Sequence, residues 1–322
     1  MSLRAILIAA GLAQATPAFA PAAILHPPLG VAAGRLPIAI RYLSGEERKP
    51  QSFAFVGNLI FFKARLADRE VWMLLDNRST RSLIDAELAT SLGLRVETRK
   101  GRTMRTPTGT LPYRMAMDVP LLVPGQMETK LSMASVDLRR LSGIIRHPID
   151  AVFGADLIGR SMLNIDPGNM TLQFARAGTR MPMPVTAITL ASSRPQMDIM
   201  IGGKPVRLTI DLGFNGALAL TPEAWARVGP KDLQMWKGFT VHAEGQAYAH
   251  DRGVLPQIEI GGVSHSNVSV AVRAVLPGDG DGMIGMALIG RFVTLLDTQG
   301  AKIWLVPRQA PASIVPVSAL QP

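Results

Sequence analysis

The chain has 322 residues and no cysteine, which excludes disulfides, thiolate nucleophiles and thiolate metal ligands. With 48% hydrophobic and 18% charged residues it has the composition of a globular protein, and its length suits about two domains. The formal charge of +10 is not gathered into any run of five or more basic residues, so it reads as dispersed surface charge and not as a nucleic-acid site.

In chain order, residues 1–20 carry a basic Arg4, an apolar run Ala5 to Ala13 and the small-x-small site Ala18-Phe19-Ala20, the pattern of a secretory signal peptide. Pro21 disfavours cleavage after Ala20 and leaves Ala13-Gln14-Ala15 as a second site. The run falls short of the ~20 residues of a membrane span, so no stable membrane insertion is expected after signal removal. Residues 21–50 read as a proline-rich linker and a leading strand. An apolar hairpin follows, Leu59 to Lys63 and Val71 to Leu75 with its turn near Ala67-Asp68, then a short helix capped by Asp85 and a strand Met115 to Val123.

Much of this recurs. Val152-Phe153-Gly154-Ala155-Asp156-Leu157-Ile158-Gly159-Arg160 matches Met283-Ile284-Gly285-Met286-Ala287-Leu288-Ile289-Gly290-Arg291 at an offset of 131 residues, and Asn164-Ile165-Asp166 matches Leu295-Leu296-Asp297 at the same offset. Upstream, Val71 to Asp76 matches Val206 to Asp211 at an offset of 135. The second copy also has a hairpin, Met197 to Ile201 and Val206 to Ile210 around Gly202-Gly203, a helix capped by Thr221 ahead of Pro222, and a strand Val254 to Ile260. Two lobes are therefore expected, 51–178 and 185–307, joined where Pro182 and Pro184 fall and followed by a loose tail 308–322. Both are β-rich.

Asp76 and Asp211 stand at equivalent points, each at the end of an apolar strand and before a turn, so a pseudo-twofold axis would set them face to face. Two carboxyl groups in contact cannot both ionise easily. They share a proton, one serving as base toward water and the other as acid toward a carbonyl oxygen.

At these residues the chain resembles the pepsin-like and retropepsin-like aspartic proteases, closest to the exported bacterial retropepsin-like proteins. The likeness spans about 55 to 306: Leu74-Leu75-Asp76 with Val152-Phe153-Gly154, and Thr209-Ile210-Asp211-Leu212-Gly213 with Met283-Ile284-Gly285. It implies an all-β fold of two pseudo-twofold-related β-barrel lobes with a cleft between them. It also implies an aspartic endopeptidase acting on a peptide or protein segment, without cofactor, in the periplasm. Where the family has Asp-Thr/Ser-Gly, this chain has Asp76-Asn77-Arg78 and Asp211-Leu212-Gly213, followed by Ser79 and Phe214. Family hydroxyls bond across the axis; Leu212 has no such group and Asn77 must do so differently, while Arg78 would set a cation beside the carboxylates. These departures keep a second reading open, a catalytically impaired relative that binds peptides.

The resemblance further places a flap at Arg105 to Tyr113, with Pro107, Thr108 and Gly109 at its tip for substrate contact, and a counterpart hairpin, or a plain surface hairpin, at Ala243 to Gln246. Strand packing is the expected role of Tyr113. The five histidines are dispersed without zinc-helix spacing, and Gly278 to Gly282 lacks the Glu of a calcium loop and reads as a turn, so no metal is expected. Neither a Gly-x-Ser-x-Gly elbow nor a phosphate-cradling loop occurs.

Overall fold

The computed structural model describes residues 38–44, 48–97, 102–106, 109–180, 184–190, 195–241, 247–274, 276 and 280–308. The signal segment, the flap tip Pro107-Thr108 and residues 243–246 lie outside them. The first lobe runs β1 (Ile40–Tyr42), β2 (Gln51–Val56), β3 (Leu59–Leu66), β4 (Arg69–Leu75), β5 (Leu83–Asp85), α1 (Ala86–Ser91), β6 (Val96–Glu97), β7 (Thr103–Thr106), β8 (Gly109–Pro112), β9 (Arg114–Val123), β10 (Met127–Val136), α2 (Arg139–Ile145), β11 (Ala151–Phe153), α3 (Ala155–Ile158), β12 (Ser161–Asp166) and β13 (Thr171–Arg176). The second runs β14 (Ile188–Thr189), β15 (Gln196–Ile201), β16 (Lys204–Asp211), β17 (Leu218–Leu220), α4 (Pro222–Val228), β18 (Trp236–Val241), β19 (Ala247–Ile260), β20 (Val263–Val272), β21 (Gly282–Gly285), α5 (Met286–Ile289), β22 (Phe292–Asp297) and β23 (Lys302–Pro307).

Strands hold 55% of the residues against 12% in helices, and they close into two six-stranded barrels, so the fold is all-β. The order β3-β4-β11-β5-β10-β9 closes through β3 and β9, and β15-β16-β21-β17-β20-β19 closes through β15 and β19. Closure leaves these barrels without open edges. In each lobe a late strand is inserted between two early neighbours. β11 is parallel to β4 and antiparallel to β5; β21 is parallel to β16 and antiparallel to β17. A strand buried between others reads as an unbroken apolar run, which explains Val152-Phe153 and Met283-Ile284.

The local signals act as the sequence predicts. Gly202 and Gly203 turn the β15–β16 hairpin with φ of 57° and 74°, while the first lobe holds Ala67 at φ 50°, a left-handed conformation that costs roughly 1–2 kcal/mol without glycine. Asp85 caps α1 by accepting from the amides of Glu87 and Leu88, and Thr221 caps α4 by accepting from Ala224.

The lobes share a floor. β12 pairs with β13 and, antiparallel, with β22, which pairs with β23. Asn164 faces Leu295 across β12 and β22, and these two are equivalent positions of the repeat. An antiparallel pair in which a residue faces its own equivalent marks a local twofold, so the pseudo-dyad passes through this point.

One apolar core runs from the first barrel through the floor into the second. Phe62, Phe153 and Phe174, all fully buried, form a triangle with ring centroids 5.0 to 5.8 Å apart, tying β3 and β11 to floor strand β13. Each such pair adds about 0.5–1.5 kcal/mol beyond area burial. No helix of the described residues is long and apolar enough to cross a membrane.

Candidate active site

Asp76 follows β4 and Asp211 ends β16, and both carboxylates are buried. Each is held first by its own turn. Asp76 Oδ1 accepts from the amides of Arg78 at 2.7 Å and Ser79 at 3.2 Å, and Asp211 Oδ1 accepts from the Gly213 amide at 2.9 Å. The inserted strands then fix both turns. The Asp76 amide donates to Phe153 O, Ala155 N donates to Ser79 O, and Met286 N donates to Phe214 O.

Gly154 and Gly285 make this threading sterically feasible. A Cβ on Gly154 would lie 2.5 Å from the Arg81 carbonyl, and one on Gly285 would lie 2.4 Å from Phe214 O and 2.5 Å from Gly216 O. Only glycine permits backbone to approach backbone this closely.

The two turns interlock through Asn77. Its Nδ2 donates to Ile210 O at 2.9 Å and its Oδ1 accepts from Leu212 N at 2.7 Å, so one buried amide grips the backbone on both sides of Asp211. An amide can do this because it carries donor and acceptor together. Leu212 needs no polar role and points into the main core. Gly213, in return, presses on Asp76: a Cβ there would stand 2.6 Å from Cγ and Oδ1 of that carboxylate. Asn58, at the β2–β3 turn, adds a bond from Nδ2 to Asn215 O at 3.1 Å.

Residues 197–288, within the second lobe, match the family model described as aspartyl protease. That match runs from β15 to α5 and so includes Asp211, Gly213 and the inserted strand β21. This match and the paired barrels fit a retropepsin- or pepsin-like family. No curated protein matches it.

Several side chains around this site were given no role by the sequence patterns, although Asp156 stands in the repeated segment. Asp156 accepts from the amide and hydroxyl of Ser82 at 2.9 and 2.8 Å, and Ser82 Oγ accepts from Gly154 N, a network that braces the first turn from behind. Asp150 and Asp281, which lead into the inserted strands, each take an amide of the strand bearing the site aspartate, Trp72 N at 2.7 Å and Arg207 N at 2.9 Å. Their common offset of 131 was the available signal; Gly278 and Asp279 of the expected turn lie outside the described residues. Arg273 has no motif at all. It is 7% exposed, its guanidinium lies 4.9 Å from the Phe214 ring centroid, and it interacts electrostatically with Asp211. Burial pushes its pKa down to about 10, with Asp211 acting in the opposite direction, so it stays a cation at neutral pH.

Of the remaining sequence candidates, Ser79 donates its hydroxyl to Arg81 O and its amide to Asp76. Arg78 contributes its amide. Gly109 opens β8, which pairs with β7 as a hairpin at the expected flap position, Thr106 facing Gly109. Met104 and Leu111 of that hairpin, with Tyr113, pack against the second apolar cluster of the first lobe around Phe61.

Proposed function

We propose that the chain is an aspartic endopeptidase that hydrolyses an extended peptide segment lying between the lobes, with Asp76 and Asp211 as its dyad. One carboxylate takes a proton from water as the water oxygen adds to the scissile carbonyl carbon, and the other carboxyl gives its proton to the carbonyl oxygen. The tetrahedral diol then breaks its C–N bond, and the amine leaves with a proton returned from the dyad. The family match supports aspartic protease function in general. What carries the finer reading is the Asn77 clasp around Asp211 together with the contact of Gly213 on Asp76, since these hold two buried carboxylates in facing turns. Export through residues 1–20 belongs to the same reading, and N-terminal sequencing of the mature protein checks it.

Incubation with casein from acid to neutral pH, with and without pepstatin, tests the activity. Cleavage is expected in acid, because the dyad works with one proton, and Asp76→Asn and Asp211→Asn should each reduce it by at least about 10³-fold. Products persisting in both variants would refute the assignment.

A further inference from the structure

Beside the turn after Asp211 the second lobe and the β2–β3 turn of the first, at Gly57 and Asn58, line a cavity of about 630 Å³, within the range that takes a side chain or small ligand. Phe214 and Arg273 form part of its lining, with Trp236, His250 and Arg252 contributed by the β18–β19 hairpin. Among the described residues no carboxylate lines it, although three arginines do. Arg291 is committed to the wall, its guanidinium donating to the carbonyls of Ser266 and Asn267. Arg252 lies 5.9 Å from the Trp236 ring centroid. Arg273 Nε and Nη1 have no hydrogen-bond partner among the described residues, although the side chain is more than nine-tenths buried.

A buried guanidinium with unmet donors is costly, and its natural complement is a carboxylate bound by two parallel hydrogen bonds. Of the nearby carboxylates, Asp251 is already paired with Lys237 at 2.6 Å, and Asp211, which draws on Arg273 electrostatically, makes no hydrogen bond to its Nε or Nη1. His250 reports the same positive field: burial, and then Arg273 and Arg252, hold its pKa below the ordinary value.

We infer that this cavity receives a carboxylate of the bound peptide on Arg273 and Arg252, so that the cleft selects segments with an acidic group close to the scissile bond. This rests on the reading of the cleft as a peptide site and names its substrate class. The carboxylate has two sources, an acidic side chain or a free C-terminus, with the same chemistry.

The test uses octapeptides in which a single Glu is moved one position at a time, each with a Gln counterpart and with free or amidated C-termini. Binding is measured by fluorescence anisotropy on the full chain carrying Asp76→Asn, and cleavage on the parent. One position should favour Glu over Gln by about tenfold or more, as close charge pairs across an interface do. The preference should fall to within about twofold on adding Arg273→Met. If amidation alone removes the affinity, the terminal carboxylate is the ligand. Should Arg273→Met not fold, Arg252→Ala at the same cavity must weaken the preference several-fold. Equal binding of Glu and Gln at every position with no effect of amidation overturns the proposal, as does a preference that survives both arginine variants. Selective binding without cleavage by the parent would sink the protease reading and leave the subsite standing, and cleavage indifferent to charge does the reverse.

Discussion

In the first lobe the turn after Asp76 is surrounded by Asn77, Ser79, Ser82 and Asp156, whereas the second lobe sets Leu212, Phe214, Ala217 and Ala287 at the equivalent positions. The backbone path is the same in both, down to the inserted strand and its glycine. The first lobe satisfies its buried donors with side chains: Gly154 N bonds to Ser82 Oγ. Its counterpart Gly285 N bonds to a main-chain oxygen, Ala217 O. Two different chemistries thus stabilise one geometry, and they are complementary across the axis. Because Asn77 both donates and accepts, its opposite number is free to be apolar. With Leu212 in the core, the second turn also has room for Phe214 and the arginine stacked on it.

The comparison breaks most severely at the glycines. Gly154→Ala and Gly285→Ala each drive a methyl into main chain that has nowhere to go, so each should cost more than ~3 kcal/mol and abolish soluble folded protein, read by expression and thermal melting. If one lobe tolerates the change, the shared geometry is looser there. Next comes Asn77→Ala, which strips two buried backbone groups of their partner and should cost about 2–3 kcal/mol in urea unfolding, together with activity. Asn77→Asp keeps the acceptor for Leu212 N but turns a carboxylate oxygen toward Ile210 O, and should cost at least as much as Asn77→Ala at neutral pH.

The bracing behind the first turn is a smaller effect. Asp156→Ala should cost about 1–2 kcal/mol by orphaning the Ser82 amide and hydroxyl. Adding Ser82→Ala makes this lobe resemble the second, so the pair should cost less than the sum of the singles, measured as a double-mutant cycle.

The smallest difference concerns Asp150 and Asp281. Only Asp281 also takes a guanidinium, Arg227 Nη2 at 2.7 Å. Burial opposes its ionisation, but the Arg227 bond and the Arg207 amide outweigh this and hold its pKa below the usual carboxylate range. Its contribution is then present above the unfolded carboxylate value and is lost as pH falls through the lowered one. Arg227 is half exposed, so the amount is below ~1 kcal/mol. Urea unfolding of Asp281→Asn and the parent should differ near about pH 6, and the difference should shrink as the pH falls through the lowered value. A difference unchanged with pH would mean the charge is irrelevant.

The repeat, the leading hairpins and both helix caps were legible because each rests on pattern along the chain, such as alternation or a capping side chain, whereas the role of Val152-Phe153-Gly154 and Met283-Ile284-Gly285 came only through the resemblance. The Asn77 clasp was only half visible. The residue type marked a departure from the family, but its reach across the axis depends on how two turns meet 135 positions apart. Arg273 left no trace, since a single arginine just past an ordinary strand looks like surface charge until burial is known. The floor pairing was equally hidden, because β12 and β22 carry no signal that they touch.

That floor has a consequence for synthesis. β12 leaves the ribosome long before β22, and until then its hydrogen-bonding edge is uncovered. The first half of the chain cannot complete its own sheet. It must wait, partly open, for strands made near the end, and any nascent chain interrupted before Phe292 presents an edge shaped to accept a strand equivalent to its own.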